Sequence, residues 1–240
     1  MNIALIGYGK MGKEIEQIAI SRGHAIVMKV DISNAGSYSI DELKKVDVAI
    51  EFSTPDAVIK NIYNCFDANV PIVVGTTGWL NQLNDVKKNC IDKKQTLIYS
   101  SNFSIGVNLF FKLNEYLAKL MNTHPDYHIS MEEIHHIHKL DSPSGTAISL
   151  ANQIIENNIQ KLKWINSLSE NKNELEIISK RIDEVPGTHS VTYSSAVDEI
   201  SITHNAHNRK GFALGAVIAA EWVKDKKGVF GMNDLLNNLH

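Results

Sequence analysis

Cysteine is nearly absent: Cys65 and Cys90 are the only two in 240 residues, and they stand in separate segments. They build neither a disulfide framework nor a metal spacing, so a reducing compartment is expected rather than a secreted one. No charge of one sign dominates. The 24 Lys and Arg stand against 27 Asp and Glu, a formal net charge of −3, which gives no support to a polyanion-binding protein. Long apolar runs are missing too. The run in MNIALIGYGK is far too short for a signal-peptide core. The longest small-and-apolar run, GFALGAVIAAEWV (211–223), is too short to cross a bilayer, carries Glu221, and reads as a buried helix. Repeats and low-complexity tracts are also lacking. What remains is the composition of an ordinary globular protein, 43% hydrophobic and 21% charged. We expect a cytoplasmic location and no nucleic-acid or membrane partner. The length suits two modest domains, or one domain with an insertion.

Strand and helix patterns alternate through the first part of the chain. NIALI (2–6) is a short apolar run bounded by glycine, as in a buried parallel strand. Met11, Ile15, Ile18 and Ala19 then give one apolar helical face. AIVMKVD (25–31), VDVAIEF (46–52), VPIVVG (70–75) and TLIYS (96–100) read as further strands. Thr54 and Pro55 open one intervening helix, and another starts near Trp79. The pattern predicts an α/β fold with a Rossmann-like, doubly wound domain over residues 1–106 plus 210–240.

Residues 107–209 read differently. Val107, Phe110, Phe111, Leu117 and Met121 outline an amphipathic helix, followed by a strand near 127–134 and a helix from about Thr146. Residues 160–174 are polar and read as a surface connection. ELEIISKRID, HSVTYSSA and EISITHNA then arrive as strands with partial alternation. This predicts an α+β substrate and oligomerisation domain with an open mixed sheet. One face of that sheet needs cover, so an oligomer built through it is expected. The helix at 211–224 is expected to pack back on the first domain.

Gly7, Gly9 and Gly12 match G-x-G-x-x-G between a strand and a helix. The first glycine permits a tight turn, the second lets backbone approach a pyrophosphate, and the third lets helix and strand pack closely. Asp31 lies about 20 residues on, at the end of strand two, where a carboxylate can bind a ribose 2′-OH. That carboxylate repels a 2′-phosphate, and Ile32 follows it, so the cofactor is NADH or NADPH with NADH preferred; Lys29 or Lys10 remains able to help with NADPH. GTTGW (75–79) and SSNFS (100–104) follow strands on the same edge. Gly75, Thr76, Thr77 and Asn102 are thus placed to meet the nicotinamide half, although ordinary turns use the same residues.

EEIHHIHKLDSPSGTA (132–147) holds three histidines, a lysine and an aspartate within seven positions. A metal site would draw on these histidines with Glu132, Glu133 or Asp141, but no cysteine is near and no H-E-x-x-H spacing occurs, so no metal is expected. A solvated loop is the bland alternative. Proton transfer suits the residues best, because histidine titrates near neutrality and a positioned lysine donates a proton. SPSGT immediately precedes a helix, whose free N–H groups can hold a carboxylate. With a hydride donor in the other domain, the parts suit reduction of a C=C or C=N bond in a small dicarboxylate. A non-catalytic dinucleotide sensor on the same fold is the alternative reading.

At these residues the chain resembles the 4-hydroxy-tetrahydrodipicolinate reductase (dihydrodipicolinate reductase) family. IGYGKMG, EFSTPDAV, VVGTTGW, SSNFSIGVN, EEIHHIHKLDSPSGTA and HNRKGFALGAVIAAEW follow in the family's order over nearly the whole chain. The resemblance implies an NAD(P)H-dependent oxidoreductase of diaminopimelate and lysine biosynthesis, a homotetramer, that converts 4-hydroxy-tetrahydrodipicolinate to tetrahydrodipicolinate. It implies His135 and Lys139 as catalytic proton donors and His136, Gly145 and Thr146 as substrate contacts. It also implies cofactor loops at Gly7, Tyr8, Gly9, Lys10, Met11 and Gly12, at Gly75, Thr76 and Thr77, and at Ser100, Ser101, Asn102 and Phe103.

Overall fold

The computed structural model describes residues 1–31, 33–34, 38–208 and 210–238; Ile32, used in the cofactor reading, lies outside them. In chain order the elements are β1 (Asn2–Ile6), α1 (Lys10–Ser21), β2 (Ala25–Val30), α2 (Ile40–Leu43), β3 (Val48–Glu51), α3 (Pro55–Asp67), β4 (Ile72–Val74), α4 (Leu83–Asp92), β5 (Thr96–Tyr99), α5 (Ile105–Met121), β6 (His128–His135), α6 (Gly145–Asn157), β7 (Lys163–Ile165), β8 (Glu174–Arg181), β9 (Gly187–Ser194), β10 (Glu199–Ala206), α7 (Lys210–Val223), β11 (Gly228–Phe230) and α8 (Met232–Leu236). They form two compact units, Met1–Ile105 with Lys210–His240, and Gly106–Arg209.

The first unit is a parallel sheet in the order β11-β5-β4-β3-β1-β2, the Rossmann-like half of an α/β fold. Its central strands read as unbroken apolar runs because both faces are covered. On one face Ile3, Leu5, Val48, Ile50, Val73 and Ile98 meet Ile15 and Ala19 of α1 and the alanines of α7. On the other, Ala4, Ile6, Ala49 and Val74 meet Val58, Ile62 and Phe66 of α3 and Val86 of α4. At Gly215 of α7 a Cβ would stand 1.7 Å from the Phe103 carbonyl oxygen, so only glycine allows this helix to close on the loop after β5.

The second unit is a mixed sheet in the order β10-β9-β6-β8-β7, with β9 antiparallel to β10 and β6, and β8 parallel to β6 and β7. Period-two alternation sends Ile129, Met131, Val191 and Tyr193 to one face, which packs against Phe110 and Ala118 of α5 and Leu150 and Ile154 of α6. The opposite face carries hydroxyls that pair across strands, Ser190 with Thr203 at 3.0 Å and Thr192 with Ser201 at 2.8 Å.

Three details depart from the sequence reading. The segment read as a surface connection contains β7, whose three residues pair with β8. β11 adds a sixth strand beside β5. The helix expected from about Trp79 opens as a 3₁₀ turn, Leu80–Gln82, before α4; Trp79 is its N-cap, buried, and donates Nε1–H to the Thr76 carbonyl at 2.8 Å.

Candidate active site

In the first unit the three glycines divide their work. Gly7 has φ +98 and its amide donates to the Val30 carbonyl at 2.8 Å. A Cβ there would lie 2.0 Å from the Phe52 carbonyl oxygen, and one at Gly12 would lie 2.4 Å from the Gly7 carbonyl oxygen. Gly9 differs: no described atom lies within 4 Å of its Cβ position. It is the N-cap of α1, with no side-chain cap, so the helix presents its open amides at that space. A cavity of about 870 Å³ lies there, lined by Gly7, Tyr8, Gly9, Asp31, Phe52 and Thr54 among others. This is a fit for a dinucleotide pyrophosphate: backbone approach is open where a phosphate needs it and closed where packing needs it.

Asp31 edges the same cavity. Its Oδ1 accepts from the Ser33 hydroxyl at 2.5 Å and the Ser33 amide at 2.8 Å, and these bonds hold its carboxyl below the ordinary range. Lys29 is engaged: Nζ lies 2.6 Å from Glu16 Oε1 and 4.8 Å from the centre of the Tyr8 ring. The Tyr8 hydroxyl donates to Glu16 as well. Lys10 is exposed, and Met11 packs on the core.

The other two loops are held by their own side chains. Gly75 stands against the Phe52 ring, where a Cβ would come within 2.1 Å. Thr76 Oγ1 accepts the Ser53 amide at 2.8 Å, while Thr77 is exposed. Ser100 Oγ donates to the Asn102 carbonyl at 2.8 Å, and Asn102 Oδ1 accepts the Ser104 amide at 2.9 Å. Ser101 is exposed, but the Phe103 side chain is buried in the core. Beneath these loops lies Glu51, which the sequence reading missed. It is fully buried, burial pushes its carboxyl up, and its Oε1 accepts from Ser53 and Asn61.

In the second unit β6 ends at His135, so only the first histidine of the run lies on a strand; His136 to Lys139 form a turn closed by Lys139 N–H to the His136 carbonyl at 3.1 Å. Alternation along β6 puts Glu133 and His135 on the covered face with Met131. Sheet register then sets Glu133 opposite His189 of β9 on one side and Ser179 of β8 on the other. The result is a buried cluster centred on Glu133. Its carboxylate accepts the Ser144 amide at 3.1 Å and the Ser179 hydroxyl at 2.7 Å, and lies 3.4 Å from the Arg181 guanidinium. His135 Nδ1 approaches Oε2 at 3.3 Å and His189 Nε2 at 3.7 Å. Burial alone would raise the Glu133 carboxyl; the contact with His135 and the bonds from Ser144 and Ser179 outweigh it and hold the group well below the usual carboxylate range. Burial pushes His189 down to about 4, with the neighbouring His135 adding to the fall.

Arg181 extends the cluster, donating to the Lys139 carbonyl at 3.3 Å and the Asp141 carbonyl at 2.6 Å. The Lys139 ammonium binds both Asp141 oxygens, at 2.7 and 2.8 Å. Ser144 is the N-cap of α6: its Oγ accepts the Ala147 amide at 3.2 Å and lies 3.1 Å from His189 Nε2. Gly145 and Thr146 form the first turn, Gly145 exposed and Thr146 half-buried, with first-turn amides that lack helical partners. His136 is half-buried, its ring centroid 6.3 Å from that of His138.

Glu133, His135 and His189 bring ligand-type atoms within 4.8 Å of one another. The carboxylate already accepts from two donors and faces a fixed guanidinium, an arrangement that suits a proton network. His189 was not singled out from sequence. The available signal was a histidine at an inward position of a strand whose other inward residues, Val191 and Tyr193, are large and buried.

The sequence profile of the dihydrodipicolinate reductase N-terminus matches residues 1–103, and that of the C-terminus matches residues 106–236. The chain belongs to the dihydrodipicolinate reductase family. Among its relatives is the 4-hydroxy-tetrahydrodipicolinate reductase of Christiangramia forsetii, 51% identical over 239 residues, covering 100% of this chain and 99% of that one. The enzyme of the same name from Archaeoglobus fulgidus is 34% identical over 263 residues, covering 98% of this chain and 100% of that one. Among solved structures, the dipicolinate-bound dihydrodipicolinate reductase of Paenisporosarcina sp. TG-14 superposes with a TM-score of 0.77 at 25% identity, covering 96% of this chain and 97% of that one. Membership makes the chain an NAD(P)H-dependent oxidoreductase, with the family's dinucleotide-binding half at its N-terminus. No helix among the described residues is long and apolar enough to cross a membrane.

Proposed function

We propose that the chain reduces 4-hydroxy-tetrahydrodipicolinate to tetrahydrodipicolinate, with loss of water, in the diaminopimelate and lysine route. The first unit, 1–106 with 210–240 in the sequence reading, holds the cofactor; the second, 107–209, holds the substrate and builds the oligomer. The bound nicotinamide supplies a hydride. His135 and Lys139 supply the proton, and His136 with the α6 amides at Gly145 and Thr146 grips a carboxylate of the substrate. The observation that carries the reading is the convergence on Glu133 of His135, the α6 N-cap and, through Arg181, the Lys139 loop. A dinucleotide sensor needs no such assembly of proton donors beside an anion-binding helix end.

We favour NADH over NADPH. An ionised Asp31 repels a 2′-phosphate, and the nearby Lys29 already neutralises Glu16. Sequence composition supports a cytoplasmic location. The hydroxyl-lined face of the second sheet supports assembly through it into a homotetramer, which light scattering of the purified protein tests.

The deciding experiment is a coupled assay in which a synthase makes the unstable substrate from pyruvate and aspartate semialdehyde. Loss of nicotinamide absorbance is then followed with each cofactor. We expect oxidation of both, with a higher kcat/KM for NADH. Lys139→Ala and His135→Gln should each slow turnover by about 10²- to 10⁴-fold, the usual share of a general acid. NADH affinity should hold in both variants. NADH binding without oxidation in the unaltered protein would favour the sensor.

A further inference from the structure

We propose that Glu133 is a positioning residue of the reaction: its buried carboxylate fixes the imidazole of His135 with the proton on Nδ1, leaving Nε2 to exchange protons. The inference rests on the reading of His135 as a proton donor and goes beyond it, because Glu133 acts through His135 and through the α6 N-cap.

His135 Nδ1 is fully buried and makes no hydrogen bond among the described residues; the group of opposite character beside it is Glu133 Oε2 at 3.3 Å. An ionised carboxylate only accepts. A lone pair on Nδ1 would therefore be repelled by it, whereas an N–H turns its positive end toward the carboxylate. Around this imidazole stand Glu133 on its own strand, His189 on β9 and Arg181 opposite it on β8; Arg181 in turn holds the turn that carries Lys139 and Asp141, and His204 on β10 lies beyond His189. His189 is held neutral by burial, so it does not compete as a cation for the Glu133 carboxylate.

The opposite nitrogen has room made for it. A Cβ at Gly187 would stand 3.0 Å from His135 Nε2, so glycine there keeps that nitrogen clear of β9. Glu133 also receives the amide of Ser144, which caps α6. One carboxylate thus sets both the tautomer of the proton donor and the start of the helix proposed to grip the substrate.

The test uses Glu133→Gln and Glu133→Asp in the full chain. Arg181, the Ser179 hydroxyl and the Ser144 amide, which lies 3.1 Å from both carboxylate oxygens, can all be accepted at Oε1, so the glutamine turns its NH₂ toward His135. Nδ1 must then accept, and the proton moves to Nε2. We expect ring ¹⁵N shifts of His135, assigned with His135→Gln, to report Nδ1–H in the unaltered protein and Nε2–H in Glu133→Gln. We expect kcat of Glu133→Gln to fall about 10²-fold, with NADH affinity unchanged and substrate KM moving only a few-fold. Glu133→Asp, which keeps the charge, should recover most of the loss and the original tautomer. A Glu133→Gln enzyme within twofold of normal kcat, beside a slow His135→Gln, would overturn the positioning role while leaving His135 in place. Near-full turnover of His135→Gln would overturn the reading beneath it. If Glu133→Gln fails to fold, the unaltered protein still decides: an Nε2–H tautomer at His135 defeats the proposal.

Discussion

Gly7 and Gly9 stand two residues apart in one motif, and their substitution by alanine should have opposite signatures. At Gly7 the backbone is left-handed and a Cβ would overlap the Phe52 carbonyl, so Gly7→Ala must displace β3 or the turn. Strain of this kind costs of order 1–3 kcal/mol before any clash is counted, and we expect a lower melting temperature together with lost NADH binding. At Gly9 the φ of −83 suits any residue, and no described atom lies within 4 Å of the added methyl. Gly9→Ala should therefore leave thermal stability nearly untouched. The methyl instead occupies the space where a pyrophosphate approaches the helix amides, so calorimetry should show NADH binding weakened by roughly tenfold or more, the equivalent of one lost charge-assisted hydrogen bond. Equal losses of stability in the two variants would contradict this division of labour. The motif was legible in sequence because glycine is nearly the only residue that meets these backbone demands. The Glu16–Lys29 pair beside it was not, since a helix residue and a strand residue 13 positions apart announce no contact.

Across the second sheet, register turns isolated polar residues into a row: His204, His189, Glu133 and Ser179 lie side by side on β10, β9, β6 and β8. Burying His189 neutral has a consequence for the pH dependence of stability. The unfolded chain binds that proton below about 6.5, while the fold binds it only near 4. Between those values the unfolded state holds more protons, so stability must rise with pH across the window, by on the order of 2–3 kcal/mol at 1.36 kcal/mol per pH unit. His204, also lowered by burial, adds the same sign. Below about pH 4.5 Glu133 takes over: its depressed carboxyl stabilises the fold above that point and progressively less as acid protonates it. Glu51, raised by burial in the first unit, works in the opposite sense, so the check is a difference. His189→Gln should be less stable at pH 7 yet lose less on going to pH 5 than the unaltered protein, read by urea unfolding at each pH. Parallel curves would remove His189 as the source. Sequence alternation gave the strands that carry this row, but it did not give their pairing. β7 and β11 escaped for a simpler reason: three residues contain no measurable period.

At the scale of the whole chain, the first unit is discontinuous and the second is not. The chain completes its first sheet only after passing through the entire second unit, when α7, β11 and α8 arrive. α7 is not an accessory. Its Ala213, Ala216, Val217, Ala219, Ala220 and Val223 are all fully buried, against the face that includes Ile3, Leu5, Ile50 and Val73. At roughly 0.8 kcal/mol per buried CH₂ and more for each valine, the helix contributes on the order of 6–10 kcal/mol, comparable with the whole stability of a typical domain, about 5–15 kcal/mol. A chain ending at residue 209 should therefore lose the first unit outright rather than weaken it. The second unit keeps all of its own core in such a chain, because Phe110, Met131, Leu150, Ile177, Val191 and Tyr193 lie in one continuous segment. Limited proteolysis of the truncated protein should then digest residues 1–105 and leave a resistant fragment near 106–209, with a single cooperative melt by circular dichroism. A truncated chain that still protects residues 1–105 would mean that the parallel sheet holds together without the helix that covers it, and the ranking of the two units by contiguity would be wrong.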